Sequence, residues 1–257
     1  FFSRHGGAVL GTAIDKYIYH TVSHLPSWLF DHKIRFSYRK VELAPDLESL
    51  EHKPFREILR YCGVERDVEV NLASDLPSFS GLGSSSSFTV GLIKGVRALQ
   101  GRAVGQEELA RCAIHLERDV LRETVGLQDQ VFAAYGGLNL VRFTGGGDFN
   151  VERIALGQSR IRELNDCMLM YFTGRTRQAQ EVERAKLGKL ADNERTLGRM
   201  LSMVDDAYRV LTGSGTLAEL GGLLHASWIE KRKLDVTLVR EVSWSNVRDK
   251  LNIGMFD

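Results

Sequence analysis

The segment Pro77-Ser78-Phe79-Ser80-Gly81-Leu82-Gly83-Ser84-Ser85-Ser86-Ser87 restricts what this chain can fold into more than any other stretch. It runs straight into an apolar-periodic segment in which Phe88, Leu92, Val96 and Leu99 recur at helical intervals. The spacing predicts a helix that starts within the serine run. Gly81 and Gly83 allow a positive φ and let a ligand approach the backbone closely. The unbonded N–H groups at the helix start, with the positive end of its dipole, then form a site for an anion such as the phosphates of a nucleotide. The hydroxyls add donors, and one of them can serve as a hard oxygen ligand for Mg²⁺. The loop is not a Walker A loop, because no Gly-Lys-Ser/Thr ends it, and it lacks the GxGxxG spacing of dinucleotide binders. A glycine- and serine-rich helix cap with no ligand is the plain alternative.

Around this loop the pattern alternates between strands and helices. Residues 8–22 read as one strand or two, Lys33–Leu43 as a strand, Phe55–Cys62 as a short helix stopped by Gly63, and Val68–Leu72 as a strand. Glu107–Leu121 predicts an amphipathic helix with Leu109, Cys112, Leu116 and Val120 on one stripe. Leu127–Tyr135 predicts another, closed by Gly136-Gly137. Leu138–Phe143 and Phe149–Ile154 form an expected hairpin across Gly145-Gly146-Gly147, and Met168–Phe172 an expected apolar strand. From Gln178 onward the expectation is helical: Gln178–Leu211, Leu217–Leu234 after the Gly213-Ser214-Gly215 break, and a short helix Trp244–Ile253. Mixed elements first and helices later imply an α+β chain.

Bulk properties narrow the function classes. Of the 257 residues, 43% are hydrophobic and 26% charged, as in ordinary globular domains. A net charge of +1 gives no reason to expect a nucleic-acid or membrane surface. Cys62, Cys112 and Cys167 are too few and too scattered for a disulfide framework, which suits a reducing cytoplasm. The chain opens on Phe1 rather than Met and stops at Asp257 just after a helical pattern, so it reads as a fragment.

The stretch PSFSGLGSSSSFTVGL resembles the second signature of the GHMP kinases (galactokinase, homoserine, mevalonate and phosphomevalonate kinases), which binds ATP phosphates. Other stretches are similar to the D-glycero-D-manno-heptose 7-phosphate kinase branch of that family. They are His5-Gly6-Gly7-Ala8-Val9-Leu10-Gly11-Thr12-Ala13-Ile14-Asp15-Lys16-Tyr17, Gly126-Leu127-Gln128-Asp129-Gln130, Tyr135-Gly136-Gly137-Leu138-Asn139, and Leu224-His225-Ala226-Ser227-Trp228 with Lys231-Arg232. The resemblance implies a two-lobed GHMP-kinase-like fold. Residues 1–158 would be the ATP-binding N-terminal lobe, like domain 2 of ribosomal protein S5, and residues 159–257 a truncated, helix-rich C-terminal lobe. It implies ATP and Mg²⁺ as cofactors, a sugar or sugar phosphate as substrate and a cytoplasmic enzyme, with self-association into a homodimer left open. Pro77, Gly81, Leu82, Gly83, Ser84, Ser85 and Ser86 would contact the nucleotide.

Phosphoryl transfer needs counter-charge on the phosphates and a group that orients or deprotonates the attacking hydroxyl. By the resemblance, Glu117 matches the family's Mg²⁺-binding glutamate and Asp129, 129 − 117 = 12 residues on, matches the acid that faces the acceptor hydroxyl. Ser85 is the expected hydroxyl ligand of the metal, with Ser84 nearly equivalent because a run of serines has no internal phase. A surface glutamate and a helix-start aspartate are the bland readings. For the acceptor, Arg175 and Arg177 suit a phosphate group and Asp15 suits sugar hydroxyls. Lys16 shares that early strand, while Lys231, Arg232 and His225 read rather as a charged helix face. The sequence departs from the family in lacking its first and third motifs and in having Leu127 where the branch often carries Lys.

Overall fold

Alternating apolar residues build the strands of the computed structural model, which describes residues 2–78, 81–170 and 193–234. After a helical turn α1 (Phe2–His5) come β1 (Gly7–Thr12), β2 (Ile18–His24), β3 (Ile34–Ser37), β4 (Val41–Ala44), α2 (Lys53–Tyr61), β5 (Val68–Ser74), α3 (Ser84–Leu99) and α4 (Gln106–His115). A π-helical turn, Leu116–Val120, leads to α5 (Gln128–Tyr135), β6 (Leu138–Phe143), β7 (Phe149–Arg153), α6 (Gln158–Cys167), α7 (Glu194–Thr212) and α8 (Leu217–Leu234). The chain divides into two compact units.

The first unit is Thr12–Gly137. Its sheet has the order β2-β5-β3-β4, with β2 antiparallel and β3 parallel to β5, and β4 antiparallel to β3. Every second residue of β3 and β5 turns inward, so Ile34, Phe36, Val68 and Val70 are buried while Arg35 and Glu69 pair on the opposite face at 3.4 Å. Phe36 stacks on Phe55 of α2 at 4.0 Å between ring centroids. Ile58 and Leu59 of α2, Phe88, Leu92 and Val96 of α3, and Leu109, Ala113 and Leu116 complete this core.

α3 lies directly on β2 because two of its contact residues lack a side chain. A Cβ on Gly91 would come within 2.6 Å of the His20 ring, and one on Gly95 within 2.7 Å of Val22 Cγ2. His20 packs 5.6 Å from the Phe88 ring, and burial lowers its pKa to about 4, so it is a neutral core residue at pH 7.

The second unit contains the described residues up to Gly11 and from Leu138 onward. β1, β6 and β7 form its sheet in that order, and β6 and β7 make the hairpin expected across the glycine triplet. Arg160 of α6 donates to the carbonyls of Val210 (3.0 Å) and Gly215 (2.6 Å) and so ties α6 to the turn between α7 and α8. The 138–158 segment belongs to this compact unit. No helix among the described residues is long and apolar enough to cross a membrane.

Residues 8–22 form two strands, the second of the two alternatives read for them. Other local expectations are corrected. Lys33–Leu43 folds back on itself as β3 and β4, closed by the Tyr38 N–H to Lys40 carbonyl bond at 2.9 Å. The helix expected over Glu107–Leu121 changes to a π turn after His115; the wider turn rotates Val120 off the apolar stripe, leaving it 36% exposed. Met168, Leu169 and Met170 form no strand; α6 ends just before them. α6 has no buried residue, so it left no apolar stripe in the sequence to be read. The described part of Gln178–Leu211 is helical from Glu194, and the expected Trp244–Ile253 helix lies outside the described residues.

Candidate active site

β5 ends at Ser74, and the chain turns there on the Ser74 hydroxyl, which donates to the Leu76 carbonyl at 2.7 Å. The next residue latches two segments together. Asp75 Oδ2 accepts the Tyr17 N–H at 2.8 Å, and the Asp75 N–H donates back to the Tyr17 carbonyl at 3.0 Å. The connection between β1 and β2, which carries Asp15 and Lys16, is thereby fixed beside the entrance of the 77–87 loop. Its other end is held by the Ala13 N–H, which donates to the Gly137 carbonyl at 2.9 Å.

Within the loop Phe79 and Ser80 lie outside the described residues. Gly81 has φ 79° and Gly83 φ 69°, both left-handed conformations that a side chain would strain. Gly83 is the N-cap of α3 and supplies no side-chain acceptor, so the first N–H groups of the helix open onto the loop. Asp129, in the first turn of α5, stands against this corner. A Cβ built on Gly83 would lie 3.5 Å from Asp129 Cβ, Cγ and Oδ2. The left-handed turn is what calls for glycine here, and the carboxylate of Asp129 lies within van der Waals range of it.

Glu117 is the other acid, and its surroundings are quite different. The π turn directs it inward, where it is only 1% exposed. Its Oε2 accepts from Ser86 Oγ at 3.0 Å and from the Gln130 side-chain amide, while its Oε1 meets no donor. Burial pushes the Glu117 pKa up, and the hydrogen bonds from Gln130 and Ser86 work against that rise. A buried carboxylate with one oxygen unused suits a hard divalent cation, which would supply the missing counter-charge. Oxygen donors of this kind, a carboxylate with a neighbouring hydroxyl, fit Mg²⁺, which completes its shell with water and phosphate oxygens.

The structure brings Gly81, Leu82, Gly83, Ser84, Ser85, Ser86, Glu117 and Asp129 together around one helix start. The serine beside Glu117 is Ser86, not Ser85: Ser86 is buried and bonded to the acid, while Ser85 is exposed and its carbonyl accepts from the Thr89 hydroxyl. Pro77 is exposed at the loop entrance. Asp15 is exposed on the tethered connection, 3.7 Å from Lys16 Nζ. Arg175 and Arg177 lie outside the described residues. His225, Lys231 and Arg232 stand on exposed positions of α8, in the other unit. Reading the sequence alone gave no role to Asp75, Thr89 or Gln130. Only Gln130 had a signal, its place next to Asp129.

Residues 52–137, the stretch that holds the loop and both acids, match the family described as the GHMP kinases N terminal domain. The chain is 36% identical over 169 residues to the D-glycero-alpha-D-manno-heptose 7-phosphate kinase of Campylobacter jejuni, covering 62% of this chain and 47% of that protein. It is 25% identical over 198 residues to the L-fucokinase/L-fucose-1-P guanylyltransferase of Bacteroides fragilis, covering 75% of this chain and 20% of that one. The chain thus spans about half or less of these curated relatives. Its fold matches the crystal structure of a D-glycero-D-manno-heptose 1-phosphate kinase from Bacteroides thetaiotaomicron with a TM-score of 0.73 at 23% identity, over 90% of this chain and 72% of that one. Over residues 52–137, the chain is thus similar to the N-terminal domain of the GHMP kinases.

Proposed function

We propose that the whole protein is an ATP-dependent kinase that phosphorylates the anomeric hydroxyl of D-glycero-D-manno-heptose 7-phosphate, a step toward nucleotide-activated heptose for surface polysaccharide. The observation that carries the phosphotransfer reading is the pair of acids set around one glycine loop: Glu117, buried with a partnerless oxygen, and Asp129, packed against Gly83. In this reading the N–H groups at the start of α3 and the serine hydroxyls hold the nucleotide phosphates. Glu117 and a serine hydroxyl, Ser86 or Ser85, would hold Mg²⁺, which would supply counter-charge to the phosphates. Asp129 orients the acceptor hydroxyl, whose oxygen forms a bond to the γ-phosphorus as the bond to the β-phosphate oxygen breaks. The hydroxyl proton passes to Asp129 and ADP leaves. Asp15 contacts sugar hydroxyls, and Arg175 and Arg177 take the 7-phosphate in paired charge-assisted bonds.

The heptose acceptor rests on the similarity to the Campylobacter enzyme. The fucokinase match supports a second reading, a kinase for fucose or a related free sugar. A silent sugar- or nucleotide-binding relative has no use for a metal-competent acid beside an acceptor-facing one. The deciding experiment measures kcat/KM of the whole protein on heptose 7-phosphate, fucose and galactose, before and after changing Arg175 or Arg177 to Ala. The reading expects heptose 7-phosphate to be preferred and its KM alone to rise by roughly 10- to 100-fold, the loss of a charge-assisted pair worth about 1.5–3 kcal/mol. Turnover of fucose or galactose alone would move the assignment to the second reading.

A further inference from the structure

Gln130 is buried to 1% exposure, next to Asp129 in the first turn of α5. Its side chain reaches across to Glu117 on the π turn. Its amide NH₂ group donates to Glu117 Oε2. Glu117 Oε2 then takes two donors, Ser86 Oγ and Gln130 Nε2, and is occupied, whereas Oε1 has none.

We propose that Gln130 is a positioning residue that fixes the Glu117 carboxylate so that a single oxygen, Oε1, is presented to the metal, and that ties this orientation to the helix carrying Asp129. The inference rests on the metal role given to Glu117 above. A carboxylate held by one donor can turn about its terminal bond and offer either oxygen. With two donors on the same oxygen, from α3 and α5, it is locked. Outer partners of metal ligands commonly contribute 10- to 100-fold in metal affinity. Because Gln130 and Asp129 are sequential, any shift of α5 that moves the acceptor-facing acid also pulls on the metal-facing one.

The test is Mn²⁺ binding to the whole protein, read from the free-Mn²⁺ paramagnetic resonance signal in the presence of a non-hydrolysable ATP analogue. Gln130→Met keeps the volume and removes the donor. It should raise the Mn²⁺ dissociation constant by roughly 10- to 100-fold. Analogue binding in EDTA should stay within about twofold, which a general loss of structure would not permit. Gln130→Asn keeps an amide but withdraws it by one methylene, and it should fall between wild type and Gln130→Met. In turnover, the apparent KM for Mg²⁺ should rise more than kcat falls. Wild-type Mn²⁺ affinity in both folded variants would overturn the role of Gln130 and leave the kinase reading standing. Failure of the unaltered protein to bind Mn²⁺ with the analogue would overturn both.

Discussion

The two units of this chain use their helices in opposite ways. In Thr12–Gly137, α2 and α3 turn Phe55, Ile58, Leu59, Phe88, Leu92 and Val96 into one core against the sheet, and a polar cluster of Ser86, Thr89, Glu117 and Gln130 is buried within the same shell. In the other unit, among the described residues, α6 buries nothing, α7 buries Leu211, and α8 buries Leu217, Glu230 and Leu234. Among the described residues its sheet buries Leu140, Val141 and Phe143 of β6, and pairs on the surface add Arg142 with Asp205 at 2.8 Å and Tyr208 with Glu152. Exposed pairs of this kind contribute about 0–1 kcal/mol each. The contrast shows where accurate chemistry can be built. A carboxylate with an unused oxygen stays in a fixed place only if a packed shell bears the cost of burying it.

The sharpest way to break this comparison is to damage the first core. Phe55→Ala removes a ring stacked on Phe36 at the centre of the sheet–helix contact. It should lower unfolding free energy by about 3–5 kcal/mol, measured by denaturant titration. A loss below about 1 kcal/mol would mean that this core does not hold the unit together. Next in size is Asp129→Asn. The change keeps shape and removes the acid, so turnover should fall at least about a hundredfold while MgATP affinity barely moves. Near-normal turnover would remove Asp129 from the role of acceptor-facing acid, and the first unit would lose its claim to the chemistry.

Legibility in the sequence follows the same division. The core stripe of α3 was readable because its apolar residues repeat with the helical period and face one sheet, and the glycine loop because glycine is the residue that takes a left-handed φ such as that at positions 81 and 83 without strain. α6 was not, since a helix without a buried face has no periodic signal. The phase of the serine run was also hidden. Four identical side chains carry no mark of which one turns inward, and Ser86 is selected by the position of Glu117, itself set by a π turn that spacing rules for ordinary helices do not anticipate. Gln130 and Asp75 were missed for a related reason: their roles lie in contacts across 13 and 58 residues of chain.

Asp75→Ala probes whether the first unit's accuracy extends to its exposed rim. The substitution removes the acceptor for the Tyr17 N–H and leaves the return bond from the Asp75 N–H intact. One hydrogen bond contributes about 0.5–1.5 kcal/mol, so the acceptor-sugar KM should rise roughly 2- to 10-fold with little change in kcat. Asp75→Asn retains an acceptor oxygen and should restore the original value. If both variants behave as wild type, the connection carrying Asp15 is held by other means or does not touch the sugar.

The smallest effect is expected at Leu224, in the heart of α8 yet 59% exposed. Complete burial of a leucine side chain stabilises by about 1.5–3 kcal/mol, and less than half of that is at stake here. Alanine is also the better helix former, which offsets part of the loss. Leu224→Ala should therefore cost no more than about 1 kcal/mol by denaturant titration, against about 3–5 for Phe55→Ala. The two measurements on the same protein compare one large apolar side chain from each unit under identical conditions. A cost of about 2 kcal/mol or more at Leu224 would show that this face of α8 is covered in the folded protein, and the difference between the two units would then be one of what covers them rather than of how they are packed.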